Sequence, residues 1–103
     1  PRRLRQTCAA GPVCTHRVLH YPTLKNYRKE VSIGAHVDYG FLTILATDDV
    51  GGLQVLNTKK KCWIHVPPVK NSFVINFGAM LHKWTNGRIK ATIHRVVNLS
   101  QRE

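Results

Sequence analysis

The sequence predicts an all-β fold, a sandwich or a barrel of short strands. Short apolar or alternating runs recur along the chain, and clusters of Gly, Pro, Asn and Asp separate them at intervals of about 8–12 residues. No stretch combines helical periodicity with the length of a convincing long helix. The short helical turn expected at 78–84, which carries Met80, Leu81 and Trp84, is the only helical segment predicted.

The strands are predicted from two patterns, alternation of apolar and polar residues and continuous apolar runs. They are expected at 13–21, 31–35, 41–47, 53–56, 62–66, 73–77 and 89–99. Pro22 ends the first of them. The polar connection 57–61 should close a hairpin, and Asn86-Gly87 is a dipeptide typical of a primed turn.

Length and composition indicate one small domain at most. Residues 1–12 form a basic lead-in or linker that ends at Gly11-Pro12, and the domain is expected to span 13–103. Because the chain begins with Pro1 rather than Met, we expect it to be a fragment of a longer protein. It has no apolar run of membrane-spanning length and no secretory signal, so the expected location is cytoplasmic and no membrane partner is expected.

The chain is strongly basic, with 16 Lys and Arg against 5 Asp and Glu and a formal net charge of +11. Such a surface attracts polyanions, so a non-catalytic basic β-barrel that binds nucleic acid or another polyanion is the alternative function. However, Lys59, Lys60 and Lys61 are expected at a hairpin tip, and no strand interleaves aromatic residues with the charge to stack bases. Nucleic acid is therefore not the favoured partner.

The three cysteines do not predict a disulfide framework, because their number is odd and their spacing irregular. A reducing compartment is the simpler interpretation. Cys8, Cys14, His16 and His20 could be considered as a metal cluster, but their spacing is too compressed for a standard zinc finger.

His36 and Asp38 are the principal candidates for a functional site. Residues i and i+2 on a strand, or at its end, point to the same face, so this imidazole and carboxylate can converge. Two such ligands are most of a facial triad, and His94, in the β-rich run 91–97, is the candidate for the third. The simpler alternative is that each histidine is a hydrogen-bonded, part-buried strand residue.

The motifs around these residues resemble the non-haem iron(II), 2-oxoglutarate-dependent dioxygenases, in the branch that includes isopenicillin N synthase. The matching motifs occur in the family's order, at about its spacing, and cover most of 13–103. They are Leu19-His20-Tyr21-Pro22, Gly34-Ala35-His36-Val37-Asp38-Tyr39-Gly40, Leu42-Thr43-Ile44-Leu45, the segments 48–55, 63–68 and 84–88, and His94-Arg95-Val96.

The resemblance implies a double-stranded β-helix, or jelly roll, that lacks its last strand or strands here. In that fold we expect the strand with His36 and Asp38 to face the strand with His94 across the barrel mouth. The three residues would hold Fe(II), with no catalytic residue beyond these metal ligands. The cosubstrates would be 2-oxoglutarate and O2, and a small organic substrate would be hydroxylated or desaturated. A close variant is an oxidase that uses no 2-oxoglutarate.

The resemblance also bears on the cosubstrate. Tyr21 matches a family tyrosine that contacts 2-oxoglutarate, although an aromatic residue at a barrel rim is an equal alternative. The family's carboxylate-binding Arg is expected beyond Glu103, because Arg102 comes too early, so we expect this chain alone to be inactive. Ala79 stands where the family usually has Asp, which should weaken that turn. The substrate's identity and the oligomeric state stay open.

Overall fold

A computed structural model describes residues 11, 13–22 and 31–98 of the chain. Within these residues the regular elements are six strands and one short helix. In chain order they are β1 (Val31–His36), β2 (Leu42–Leu45), β3 (Leu53–Asn57), β4 (Cys62–His65), β5 (Val74–Phe77), α1 (Ala79–Trp84) and β6 (His94–Val97). The all-β class and the helical turn after the fifth strand are confirmed.

The strands form two antiparallel sheets, one in the order β1-β6-β3-β4 and one of β2 and β5. His94 pairs with His36 on one side and with Val55 on the other, so it lies on a central strand. The prediction that the two ligand-bearing strands face each other across a barrel mouth is therefore wrong. β1 and β6 are hydrogen-bonded neighbours, and this pairing sets His36 directly beside His94.

Two predicted strands differ from the structure. Residues 13–20 are exposed and form no strand, although they alternate, because alternation favours an extended backbone while a strand also requires a hydrogen-bonded neighbour. Within 89–98, the described part of the predicted strand 89–99, only His94–Val97 forms a strand, and 89–93 is irregular. Residues 1–10, 12 and 99–103 lie outside the described residues, and with them most of the lead-in and the end of the predicted domain.

The predicted hairpin between β3 and β4 is confirmed. Asn57 pairs with Cys62 at its end, and the Asn57 Oδ1 accepts the backbone N–H groups of Lys59 and Lys60 at 3.1 and 3.0 Å. Lys61 completes the turn with φ of 51°. The basic tripeptide is exposed at the hairpin tip, as expected.

The helix α1 begins against the loop that follows β1. Gly78 precedes it without a side-chain cap, and the first free N–H groups instead donate to loop carbonyls: Ala79 N to Asp38 O at 2.8 Å and Met80 N to Gly40 O at 3.2 Å. A Cβ at position 78 would overlap the Gly40 carbonyl oxygen. The glycine thus permits a close approach that holds the loop carrying Asp38.

The predicted primed-turn dipeptide Asn86-Gly87 has positive φ at both residues, 50° and 75°. It ends α1 rather than connecting two strands: Asn86 N donates to Lys83 O and Gly87 N to His82 O. Positive φ is equally the conformation that ends a helix, so the dipeptide alone does not distinguish the two contexts.

The core of the described residues is small. Leu53 and Leu81 are 8% and 7% exposed, and Asn98 is a buried polar residue at 7%. The β2–β5 sheet has one face that carries exposed apolar pairs, Leu42 with Phe77 and Ile44 with Ile75. In the described part of the chain, no helix has the length and apolar character that crossing a membrane requires.

Candidate metal centre

The structure brings His36, Asp38 and His94 together, as the sequence predicted. One potential ligand atom from each lies within 4.8 Å of the others. The Asp38 Oδ1 is 3.6 Å from the His36 Nε2 and 3.5 Å from the His94 Nε2. His36 ends β1, His94 begins β6, and Asp38 lies just beyond β1, so strand pairing places the imidazoles and the loop adds the carboxylate.

Backbone carbonyls determine which ring nitrogen of each histidine is free. The His36 Nδ1 lies 2.8 Å from Gly34 O, and the His94 Nδ1 lies 3.0 Å from Thr92 O. Because a carbonyl oxygen only accepts hydrogen bonds, each Nδ1 carries the proton and donates it. In the neutral rings, each Nε2 therefore has a lone pair, and both lie where the three side chains meet. This arrangement is typical of metal-binding histidines.

The two oxygens of Asp38 have different environments. Its Oδ2 accepts hydrogen bonds from Thr43 Oγ1 at 2.6 Å and from Asn76 Nδ2 at 2.7 Å, while its Oδ1 faces the two imidazoles. Burial by itself raises the pKa of the Asp38 carboxyl. The hydrogen bonds from Asn76 and Thr43, together with the positive charge that His94 and His36 carry when protonated, outweigh burial and lower the pKa of Asp38 below its usual value. Asp38 is therefore an anion at neutral pH.

The donor set fits a divalent transition metal. Two neutral imidazole nitrogens and one carboxylate oxygen, all with free lone pairs, converge on one point, while their remaining polar atoms are bonded to protein. This is the composition of the facial triad of non-haem Fe(II) oxygenases, which leaves coordination positions open for other ligands. His36, Asp38 and His94 could hold such an ion without rearrangement of their hydrogen bonds.

Tyr21 lies elsewhere, on a cavity of about 390 Å³ between the segment 16–21 and the strand ends. Leu53, Val74 and Val96 also line this cavity, whose lining includes none of the three clustered residues. Burial raises the pKa of the Tyr21 hydroxyl, and the nearby Arg17 partly opposes this. Tyr21 therefore lines this cavity and is not part of the cluster of His36, Asp38 and His94.

Sequence reasoning missed two residues of the site, Thr43 and Asn76. They are direct partners across β2 and β5, so their side chains share one face and reach the same carboxylate oxygen. A signal was present in the sequence. Asn76 is the one polar residue of an otherwise apolar strand, and a polar side chain that such a strand carries out of water requires a hydrogen-bond partner.

With this geometry in place, comparisons with known proteins identify the family. The model of the 2OG-Fe(II) oxygenase superfamily matches residues 12–103. The chain belongs to the 2OG-Fe(II) oxygenase superfamily. Fe(II), 2-oxoglutarate and O2 are the metal and cosubstrates of this family, and its members are oxidoreductases.

Curated relatives and solved structures agree with this assignment. A 2-oxoglutarate-Fe(II) type oxidoreductase, hxnY of Emericella nidulans, is 44% identical over 96 residues, 90% of this chain and 28% of that protein. A homoarginine-6-hydroxylase of Glycine max is 38% identical over 105 residues, 95% of this chain and 31% of that protein. The chain thus spans less than a third of the length of these relatives.

Among solved structures, full-length Neurospora crassa T7H in complex with alpha-KG aligns with a TM-score of 0.72 at 39% identity, covering 81% of this chain and 29% of that chain. The Arabidopsis thaliana dioxygenase for auxin oxidation, in complex with 2-oxoglutarate, aligns with a TM-score of 0.76 at 32% identity, covering 80% and 31%. The neighbours have a jelly-roll-type fold, in agreement with the predicted class.

Proposed function

We propose that the protein containing this chain is an Fe(II)- and 2-oxoglutarate-dependent oxygenase, and that His36, Asp38 and His94 hold its iron. It would couple the oxidative decarboxylation of 2-oxoglutarate to the hydroxylation or desaturation of a small organic substrate. One observation carries the proposal: the Nε2 atoms of both histidines and the Oδ1 of Asp38 converge with free lone pairs, while every other polar atom of these side chains is hydrogen-bonded.

In this proposal, bound Fe(II) supplies the activation of O2, and the protein supplies orientation and binding. The Gly34 and Thr92 carbonyls hold the protons on the Nδ1 atoms, so both imidazoles bind the metal as neutral ligands. Asp38 contributes the single negative charge. No further side chain is required as a general base.

The proposed substrate is a small molecule because the relatives act on or bind small molecules. One relative is named a homoarginine-6-hydroxylase, T7H was solved with thymine, and JOX2 was solved with 2OG, Fe and JA. These compounds differ widely in chemistry. The relatives therefore support a small substrate for this protein but do not indicate which one. We further propose that Tyr21 contacts 2-oxoglutarate, on the basis of its place in the Leu19-His20-Tyr21-Pro22 motif.

We also propose that residues 13–103 are part of a larger jelly-roll domain, after a linker at 1–12, whose last strand and carboxylate-binding Arg lie beyond Glu103. Two observations support this. The chain spans less than a third of its relatives' length, and the apolar pairs Leu42–Phe77 and Ile44–Ile75 are exposed on the β2–β5 sheet. Exposed apolar faces of this kind are normally covered by further chain. We therefore expect the 103 residues alone to bind metal weakly and to lack turnover.

The described cysteines support the expected reducing, cytoplasmic compartment. Cys14 and Cys62 are both exposed free thiols, and secreted proteins rarely leave such thiols unpaired.

The experiment is an anaerobic titration of the complete protein with Fe(II) and 2-oxoglutarate, followed by the visible charge-transfer band of the chelate. The band should appear in the wild type and vanish in His36→Ala. His65→Ala is the matched control, because His65 is an exposed histidine at the end of β4 outside the cluster, and it should keep the band. A folded wild type without a band would contradict the proposal and favour the polyanion-binding alternative, which predicts salt-sensitive binding that survives His36→Ala.

A further inference from the structure

The two oxygens of Asp38 have different hydrogen-bond partners, and this difference affects how many coordination positions of a bound metal stay open to other ligands. The Oδ2 accepts two hydrogen bonds from protein, from Thr43 and Asn76, whereas the Oδ1 faces only the two histidine nitrogens. We propose that the Thr43–Asn76 pair restricts Asp38 to coordination through Oδ1 alone and so preserves one metal position for O2 beside a chelating 2-oxoglutarate. This inference rests on the proposed function and concerns the same site.

The geometry of the pair makes the restriction effective. Thr43 and Asn76 lie directly opposite each other on β2 and β5, and their donors reach Oδ2 at 2.6 and 2.7 Å, the short distances of charge-assisted bonds. A carboxylate oxygen has roughly two lone pairs, and both on Oδ2 are occupied. That oxygen cannot bind the metal without losing at least one of these hydrogen bonds.

The pair also belongs to a different sheet from the histidines. His36 and His94 lie on the four-stranded sheet, while Thr43 and Asn76 lie on the two-stranded sheet. The orientation of the carboxylate is therefore set independently of the imidazoles. The backbone of Asp38 is held separately as well, since its carbonyl accepts a hydrogen bond from Ala79 N at 2.8 Å.

The consequence concerns coordination number. Two imidazoles and one carboxylate oxygen would fill three of the six positions of an octahedral ion and leave three for a chelating keto acid and O2. If both oxygens of Asp38 bound the metal, only two positions would remain. A chelating 2-oxoglutarate would fill both, and none would be left for O2. Removing the pair should therefore impair the binding of a diatomic gas to the 2-oxoglutarate complex more than it weakens the binding of the metal or of 2-oxoglutarate.

The test uses the complete protein under anaerobic conditions, with Co(II) as the metal probe and 2-oxoglutarate added second. The variants are Thr43→Val with Asn76→Leu, which removes both donors at similar volume, and Thr43→Val alone in case the double variant does not fold. Thr43→Ser keeps a hydroxyl and is the matched control. X-ray absorption of the Co(II) site reports whether one or both carboxylate oxygens bind, and titration reports the affinities for Co(II) and 2-oxoglutarate. Nitric oxide, added as a stand-in for O2 to the Fe(II) and 2-oxoglutarate complex, reports by electron paramagnetic resonance whether a further position is open.

We expect the donor-deleted variants to retain Co(II) and 2-oxoglutarate, to bind Co(II) through both Asp38 oxygens, and to lose about 10- to 100-fold in affinity for nitric oxide, the range typical of outer-shell changes. Thr43→Ser should behave as the wild type. Single-oxygen binding with unchanged nitric oxide affinity would overturn the inference, and so would complete loss of Co(II) from a folded variant. Failure of the proposed function is separate, because it would show as a wild type that binds no Co(II) or as binding unaffected by His36→Ala.

Discussion

The contact between Gly78 and the loop carrying Asp38 is a sharp test of how the site is held. We predict that Gly78→Ala lowers both the free energy of unfolding and the metal affinity. The backbone there, with φ of −92° and ψ of 176°, suits any residue, so the effect should be purely steric. The added Cβ would overlap the Gly40 oxygen and lie 2.7 Å from its carbonyl carbon and 2.9 Å from Asp38 O.

The expected magnitude follows from these contacts. All three obstructing atoms belong to the backbone and cannot rotate away, so overpacking should cost about 1–3 kcal/mol. If α1 moves outward instead, it loses the hydrogen bonds from Ala79 N to Asp38 O and from Met80 N to Gly40 O, each worth about 1 kcal/mol. Either route gives an expected destabilisation of about 2 kcal/mol, or a midpoint lower by about 1 M urea at a slope of about 2 kcal/mol/M.

The assay is urea unfolding of the metal-free complete protein, followed by Co(II) titration of the folded form. Gly34→Ala is the matched control, because nothing lies within 4 Å of a Cβ built at that position and the Gly34 carbonyl also contacts the site, through the His36 Nδ1. It should change the free energy of unfolding by no more than about 0.5 kcal/mol. Equal stability of the Gly78→Ala and Gly34→Ala proteins would refute the argument that this close approach holds the loop.

Other predictions concern the sheet, the core and the metal. Arg95→Ala should cost about 1–2 kcal/mol without changing Co(II) affinity, because the guanidinium lies 4.1 Å from the centre of the Trp63 ring; a large loss of affinity would contradict this. Leu53→Ala should lower the free energy of unfolding in urea by about 2–5 kcal/mol, since Leu53 is 8% exposed. A smaller loss would contradict this and would mean that the surrounding core closes over the cavity left by Leu53. Asn98→Ala should cost about 1–3 kcal/mol, because its amide donates to Pro22 O from a buried position, and an unchanged urea midpoint would contradict that. Saturating Co(II) at 100 times its dissociation constant should stabilise the wild type by about 2.7 kcal/mol and leave His94→Ala unchanged in thermal unfolding.

Several features of this protein could be read from local sequence. The hairpin of β3 and β4 follows from two alternating runs around a polar turn, and the short helix from the apolar residues after Gly78. The identities of the three clustered residues also came from local patterns, together with the resemblance of the surrounding motifs to a known family. In each case the information lies within a few residues, where backbone periodicity and turn chemistry act directly.

The arrangement of the site depended on contacts between residues far apart in the chain. The pairing of β1 with β6 placed His36 beside His94 in one sheet, where sequence reasoning had expected opposed strands. The pairing of β2 with β5 brought Asn76 to the Asp38 carboxylate across 38 positions. Strand partners and register are chosen by packing of whole faces, which no local pattern encodes. The same reason explains 13–20, where an alternating run forms no strand. The sequence therefore determined which residues could bind a metal, and tertiary pairing decided that these residues meet and that Asn76 occupies one oxygen of Asp38.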